Sequence, residues 1–119
     1  VKNFKYFNTA AEDEFLKTLL HIKSVFGQIL VEQKVKITDV LELDAGDRKL
    51  FMYGNQAHFD FVIYDLSHRP LLAVEVGGTE HFNDAKVRSR DQKKRQICEA
   101  HQLRLITIRN DYVRRYSFF

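Results

Sequence analysis

Cysteine is nearly absent: the 119 residues hold one, Cys98. A lone thiol excludes an internal disulfide framework and any zinc site built on cysteine clusters, and it fits a reducing compartment. Any metal must then be held by oxygen or imidazole. No stretch approaches the roughly 18 consecutive apolar residues of a membrane span. The opening Val1-Lys2-Asn3-Phe4-Lys5 lacks the apolar core of a secretory signal. Internal repeats and low-complexity segments are missing as well. The expectation is a soluble, cytoplasmic protein with no membrane partner. A start at Val1 rather than Met suits a piece of a longer polypeptide, whose other domains would be partners in cis, and equally a processed or trimmed start.

What is present suits one globular domain spanning 1–119. Apolar residues make up 45% of the chain, aromatics 13% and charged residues 29%. The net charge is only +3, but its positive members are clustered. Lys86, Arg88, Arg90, Lys93, Lys94 and Arg95 crowd one segment, and Arg109, Arg114 and Arg115 another. Such clustering suits a polyanion such as nucleic acid, although a solvated helix face gives the same pattern.

Thr9-Ala10-Ala11-Glu12 has the form of a capping box. Phe15, Leu16, Leu19, Ile22 and Phe26 then recur at helical spacing as far as Gly27, a natural stop. Ile29 to Ile37 favours strand, and Thr38 to Leu41 suggests a short helical turn. Asp44 to His58, with Gly46, Gly54 and Asn55, reads as an irregular connection. Two apolar runs, Phe59 to Tyr64 and Leu71 to Val76, flank a turn-forming segment and predict a hairpin. A helix is expected from about Arg88 to His101 and a last strand from Leu103 to Ile108. The hairpin strands are apolar on both alternating sets, so helices should cover both faces of the sheet. A strand, helix and strand in succession should place the final strand parallel to Leu71–Val76.

With the hairpin loop centred between Ser67 and His68, Tyr64 falls opposite Leu71, Val62 opposite Ala73 and Asp60 opposite Glu75. Directly opposed residues have Cβ atoms roughly 4.5–5.5 Å apart, where like charges repel. Either one carboxyl keeps its proton or a cation lies between them, and hard oxygen ligands suit Mg²⁺ or Mn²⁺. The plainer alternative pairs each acid with one of the many nearby lysines and arginines. Gly77-Gly78 directly after Glu75 allows a sharp bend or a close approach. His81 lies just past it, where an imidazole can take a proton near neutral pH.

Glu12 carries two readings: it can close the capping box, yet it shares the stripe of Phe15, Leu16 and Leu19 that faces the core. On the second long helix Asp91, Lys94, Cys98 and His101 share a stripe. Cys98, with Ile97 beside it, marks the side facing the sheet, so Lys94 should project over the sheet end near the carboxylates. It could pair there with Asp91 or Glu75, or meet a phosphate. Cys98 reads as a small core residue.

Asp60-Phe61, Ala73-Val74-Glu75-Val76-Gly77-Gly78-Thr79-Glu80-His81, Arg90-Asp91 with Lys94, and Leu105-Ile106-Thr107-Ile108 together resemble one known arrangement. It is the very-short-patch-repair-endonuclease-like branch of the PD-(D/E)XK nuclease superfamily, which includes bacterial domains of unknown function. The resemblance runs from Thr9 to about Arg109. It implies an α/β fold with a restriction-endonuclease-like αβββαβ core, a mixed sheet flanked by helices. It also implies a metal-dependent endonuclease or nickase acting on DNA with Mg²⁺ or Mn²⁺, in the bacterial cytoplasm. By that resemblance Asp60 and Glu75 would ligate the metal, with the carbonyl of Val76 as a third ligand. Glu12 would bind a metal-bound water, His81 would orient or deprotonate the attacking water, and Lys94 would stabilise the phosphate. Arg88, Arg90, Lys93 and Lys94 would contact nucleic acid. The chain departs from the pattern where the usual lysine, two residues after the glutamate, is Gly77, and where a glycine before the last strand is Gln102. Two other functions remain open: a catalytically inactive nucleic-acid-binding module, and a protein-interaction domain of a larger DNA-processing enzyme.

Overall fold

The computed structural model describes residues 10–77 and 85–109, with Phe26, 85–88, Arg90, Asp91 and Arg109 described in backbone alone. In chain order the elements are α1 (Ala10–Phe26), β1 (Leu30–Lys36), α2 (Ile37–Val40), α3 (Arg48–Gln56), β2 (His58–Tyr64), β3 (Pro70–Gly77), α4 (Ala85–Ala100) and β4 (Arg104–Arg109). The strands form one sheet in the order β1-β2-β3-β4. The first three are antiparallel, and β4 runs parallel to β3 as the crossover through α4 requires. The protein is thus an α/β fold with a mixed sheet. Among the described residues no helix is long and apolar enough to cross a membrane.

Strand residues alternate between the two faces of a sheet, so two apolar layers are needed. Phe61, Val74 and Val76 bury one face beneath Ala11 and Leu19 of α1, with Phe15 set edge-on to Phe61 at 5.3 Å between ring centroids. Val62, Tyr64 and Ala73 bury the other beneath Ile97 and Cys98 of α4, joined by Ile37, Leu41 and Leu43. Each wholly buried side chain of this kind stabilises the fold by roughly 1.5–3 kcal/mol.

The segment expected to be irregular contains α3. The carboxylate of Asp47 accepts the Leu50 N–H at 3.2 Å and caps the helix start, while Leu50, Phe51 and Tyr53 pack against the core. Gly54, which reads as a breaker, is a packing residue instead: a Cβ there would run into the Leu43 side chain.

The hairpin register holds at Val62↔Ala73 and slips at its tip, where Tyr64 pairs with Pro70 and not with Leu71. The cause is local. Asp65 Oδ1 accepts the N–H groups of Ser67 and Arg69, and the Asp65 N–H bonds the Arg69 carbonyl, which draws Arg69 into the turn. Toward the start of β2, that strand and its neighbour β1 both change face. Phe61 packs under α1 but Phe59 in the other layer, and Val31 and Val35 divide in the same way. Lys34, directly before Val35, has a left-handed backbone with φ 52°.

Candidate active site

That change of face lies where the ladder between β2 and β3 ends. Pairing runs as far as Phe61↔Val74, so one further step brings Asp60 across from Glu75. There the side chains take over from the backbone. The Asp60 N–H donates to Glu75 Oε2 at 2.9 Å, and the Val76 N–H donates to Asp60 Oδ2 at 2.8 Å. Each carboxylate is therefore oriented by the opposite strand, and each has its other oxygen on an ammonium group. Glu75 Oε1 meets Lys94 Nζ, and Asp60 Oδ1 meets Lys34 Nζ at 3.4 Å.

Lys34 also donates to Glu12 Oε2 at 2.7 Å, which brings the acid of α1 into the group. Glu12 is buried and faces this cluster, as its place on the apolar stripe implies; Thr9, the other half of the capping box, lies outside the described residues. Lys94 bonds the His58 carbonyl at 2.7 Å besides Glu75, which ties α4 to the start of β2 and to β3. Of the partners open to Lys94 in the sequence, it takes Glu75. Three carboxylates thus meet two ammonium groups, leaving one negative charge in excess when all are ionised.

Burial and the charge of Glu75 push the Asp60 carboxyl up to about 6, against the Val76 N–H bond and Lys34, which favour the ionised form. Burial alone would lower the Lys34 ammonium, but its bond to Glu12 and the charges of Asp60 and Glu12 outweigh that and raise it. The His58 imidazole is held down by burial and by Lys36, Lys94 and Lys34, so it stays neutral at neutral pH. Burial, then the nearby Glu75, pushes the Cys98 thiol up to about 11, which fits an inert core residue.

Of the residues expected at a site, Asp60, Glu75, Glu12 and Lys94 are brought together. The N–H of Val76 joins them, whereas its carbonyl was the expected ligand. Lys93 stands apart, exposed with its Nζ 5.4 Å from the centre of the Tyr53 ring on α3. His81 and the side chains of Arg88 and Arg90 lie outside the described residues. Lys34 and His58 are members that sequence reasoning missed. Lys34 had a faint signal, a lysine inside a strand-forming run. Recognising it needs the β1–β2 register, where Gln33↔Phe61 and Val35↔Phe59 set Lys34 level with Asp60.

Among the described residues no three histidine, cysteine, aspartate or glutamate side chains gather as a ready-made metal-binding group. A small hard ion does not require one, because Mg²⁺ keeps several waters and takes one or two carboxylates. The paired oxygens of Asp60 and Glu75, already facing cations, fit that chemistry.

The fold and the cluster define a small α/β domain with a carboxylate–lysine centre where two strands part. Residues 5–118 match the family described as "Protein of unknown function (DUF2726)", and the chain belongs to that family. No curated protein and no solved structure matches it.

Proposed function

We propose that this domain hydrolyses phosphodiester bonds of nucleic acid, DNA foremost, with Mg²⁺ or Mn²⁺ held by Asp60 and Glu75 on a restriction-endonuclease-like core. The observation that carries this reading is the pair itself. Two acids with crossed backbone bonds each turn one oxygen toward an ammonium group, and burial together with the charge of Glu75 raises the Asp60 carboxyl. A divalent ion there neutralises charge developing on a phosphate and makes a water more acidic. The chain's own groups do the rest. The N–H groups of Asp60 and Val76 fix the carboxylates, the Val76 carbonyl offers a third oxygen, and Lys94 holds α4 against Glu75. Glu12 hydrogen-bonds water on the α1 side. His81 follows the resemblance as the residue that orients the attacking water, and Arg88, Arg90 and Lys93 as contacts to the nucleic acid.

A second reading has a specific observation in its favour. Lys34 and Lys94 already neutralise much of the carboxylate charge, so the cluster also stands as a self-contained ionic knot in a binding module without catalysis. Plasmid nicking in Mg²⁺ or Mn²⁺ separates the two. A nuclease is expected to lose at least about 10²-fold of its rate in Asp60→Asn and in Glu75→Gln, with cooperative melting retained. Wild-type protein that binds DNA but cuts nothing, whichever divalent ion is supplied, belongs to the second reading. Crystals soaked in Mn²⁺ give an independent answer. Manganese between Asp60 and Glu75 supports the enzyme, and carboxylates still held by the two lysines at saturating Mn²⁺ end it.

A further inference from the structure

The two lysines of the cluster are not equivalent. Lys94 is the more enclosed, with its side chain 13% exposed and its ammonium on a carboxylate oxygen and a backbone carbonyl of neighbouring strands. Those bonds brace α4 on the sheet. Lys34 is 20% exposed and reaches the same group of acids from β1. Its bond to Glu12 is short at 2.7 Å and its contact with Asp60 long at 3.4 Å. An ammonium group has three N–H donors, and these two contacts use two of them.

The backbone at Lys34 adds a second, independent observation. A non-glycine residue at φ 52° is strained and persists only where its surroundings hold it, commonly at functional sites. Here the unusual conformation turns Val35 into the layer containing Phe59 while Lys34 stays level with Asp60, so the strand keeps both its core contact and a cation at the acids. A cation entering between Asp60 and Glu75 competes first with the longer contact. The Nζ would then stay bonded to Glu12, with two N–H donors left for an oxygen that the cation also binds.

We propose that Lys34, not Lys94, is the residue that grips the phosphate of the substrate, with Glu12 as its tether. This rests on the phosphodiesterase reading above. The experiment compares wild type with Lys34→Gln, which can still donate to Glu12, with Lys34→Arg, and with Lys94→Met. Fluorescence anisotropy in Ca²⁺ follows a 20-base-pair DNA duplex across a salt series, and Mn²⁺ affinity is read by electron paramagnetic resonance without DNA. Lys34→Gln is expected to bind Mn²⁺ no more weakly than wild type, to lose about one unit of the salt slope, and to cut roughly 10²-fold more slowly. Lys34→Arg keeps the slope, and Lys94→Met keeps it while melting at lower temperature. A Lys34→Gln protein with unchanged slope and cutting overturns the assignment. Should that variant not fold, the Nζ resonance of Lys34 in wild type decides: a shift on adding the duplex supports the contact and none overturns it. If wild type neither binds Mn²⁺ nor cuts, the phosphodiesterase reading itself falls and takes this one with it. If wild type does both and Lys34 is indifferent, only the lysine assignment is lost.

Discussion

A single carboxyl makes the site measurable without a substrate. Asp60 is raised from an ordinary value of 3.8 to about 6, first by burial and then by Glu75. A carboxyl raised on folding favours the fold when protonated. Its contribution is full below the unfolded value and is lost as pH climbs through the folded one. Metal-free wild type should therefore lose melting temperature relative to Asp60→Asn between about pH 4 and pH 7, and the two should run parallel above that range. Thermal melts of both proteins at stepped pH check it, and a constant difference would mean that Asp60 titrates normally. At this scale the sequence was informative where alternation carries the message: Asp60 and Glu75 are two acids in apolar runs, two residues beyond Val62 and Ala73. Glu12 was legible through its stripe. Lys34 was not, because nothing local announces a left-handed lysine or shows which residue of β2 it will face.

Among the elements, the end of α4 shows strain that one substitution can relieve. The Leu103 N–H bonds the Cys98 carbonyl at 2.9 Å and the Gln102 N–H bonds the Glu99 carbonyl at 3.2 Å, a helix-ending motif whose turning residue is left-handed. That residue is Gln102, with φ 57°, where glycine is the usual occupant. Gln102→Gly is expected to stabilise the protein by about 1 kcal/mol, less whatever entropy the glycine adds to the unfolded chain. Chemical denaturation reads the change, and a glycine variant less stable than wild type would show that the Gln102 side chain does more than turn the chain. The long elements were legible because α1, the hairpin and β4 carry repeating apolar patterns, and α4 because Ile97 and Cys98 mark its inner side. α3 was not. Its few apolar residues follow a glycine-bearing polar stretch, and only Leu43, pressed against Gly54, shows why a glycine belongs inside it.

At the scale of the whole molecule, the cluster joins α1, β1, β2, β3 and α4, so an ion bound there stabilises the folded state as a unit. Mn²⁺ or Mg²⁺ at a hundredfold its dissociation constant should add about 2.7 kcal/mol. Scanning calorimetry with and without the ion should show a rise of several degrees that is missing in Asp60→Asn; no rise in wild type counts against a metal at these acids. The sequence by itself determined the α/β class, helices on both sheet faces, a parallel last strand and the meeting of Asp60 with Glu75. These follow from patterns of period two and 3.6 that each segment carries alone. Tertiary structure alone decided what answers the charge of that pair. Lys34 arrives from β1 and Lys94 from α4, and no local rule couples strands and helices so far apart in the chain.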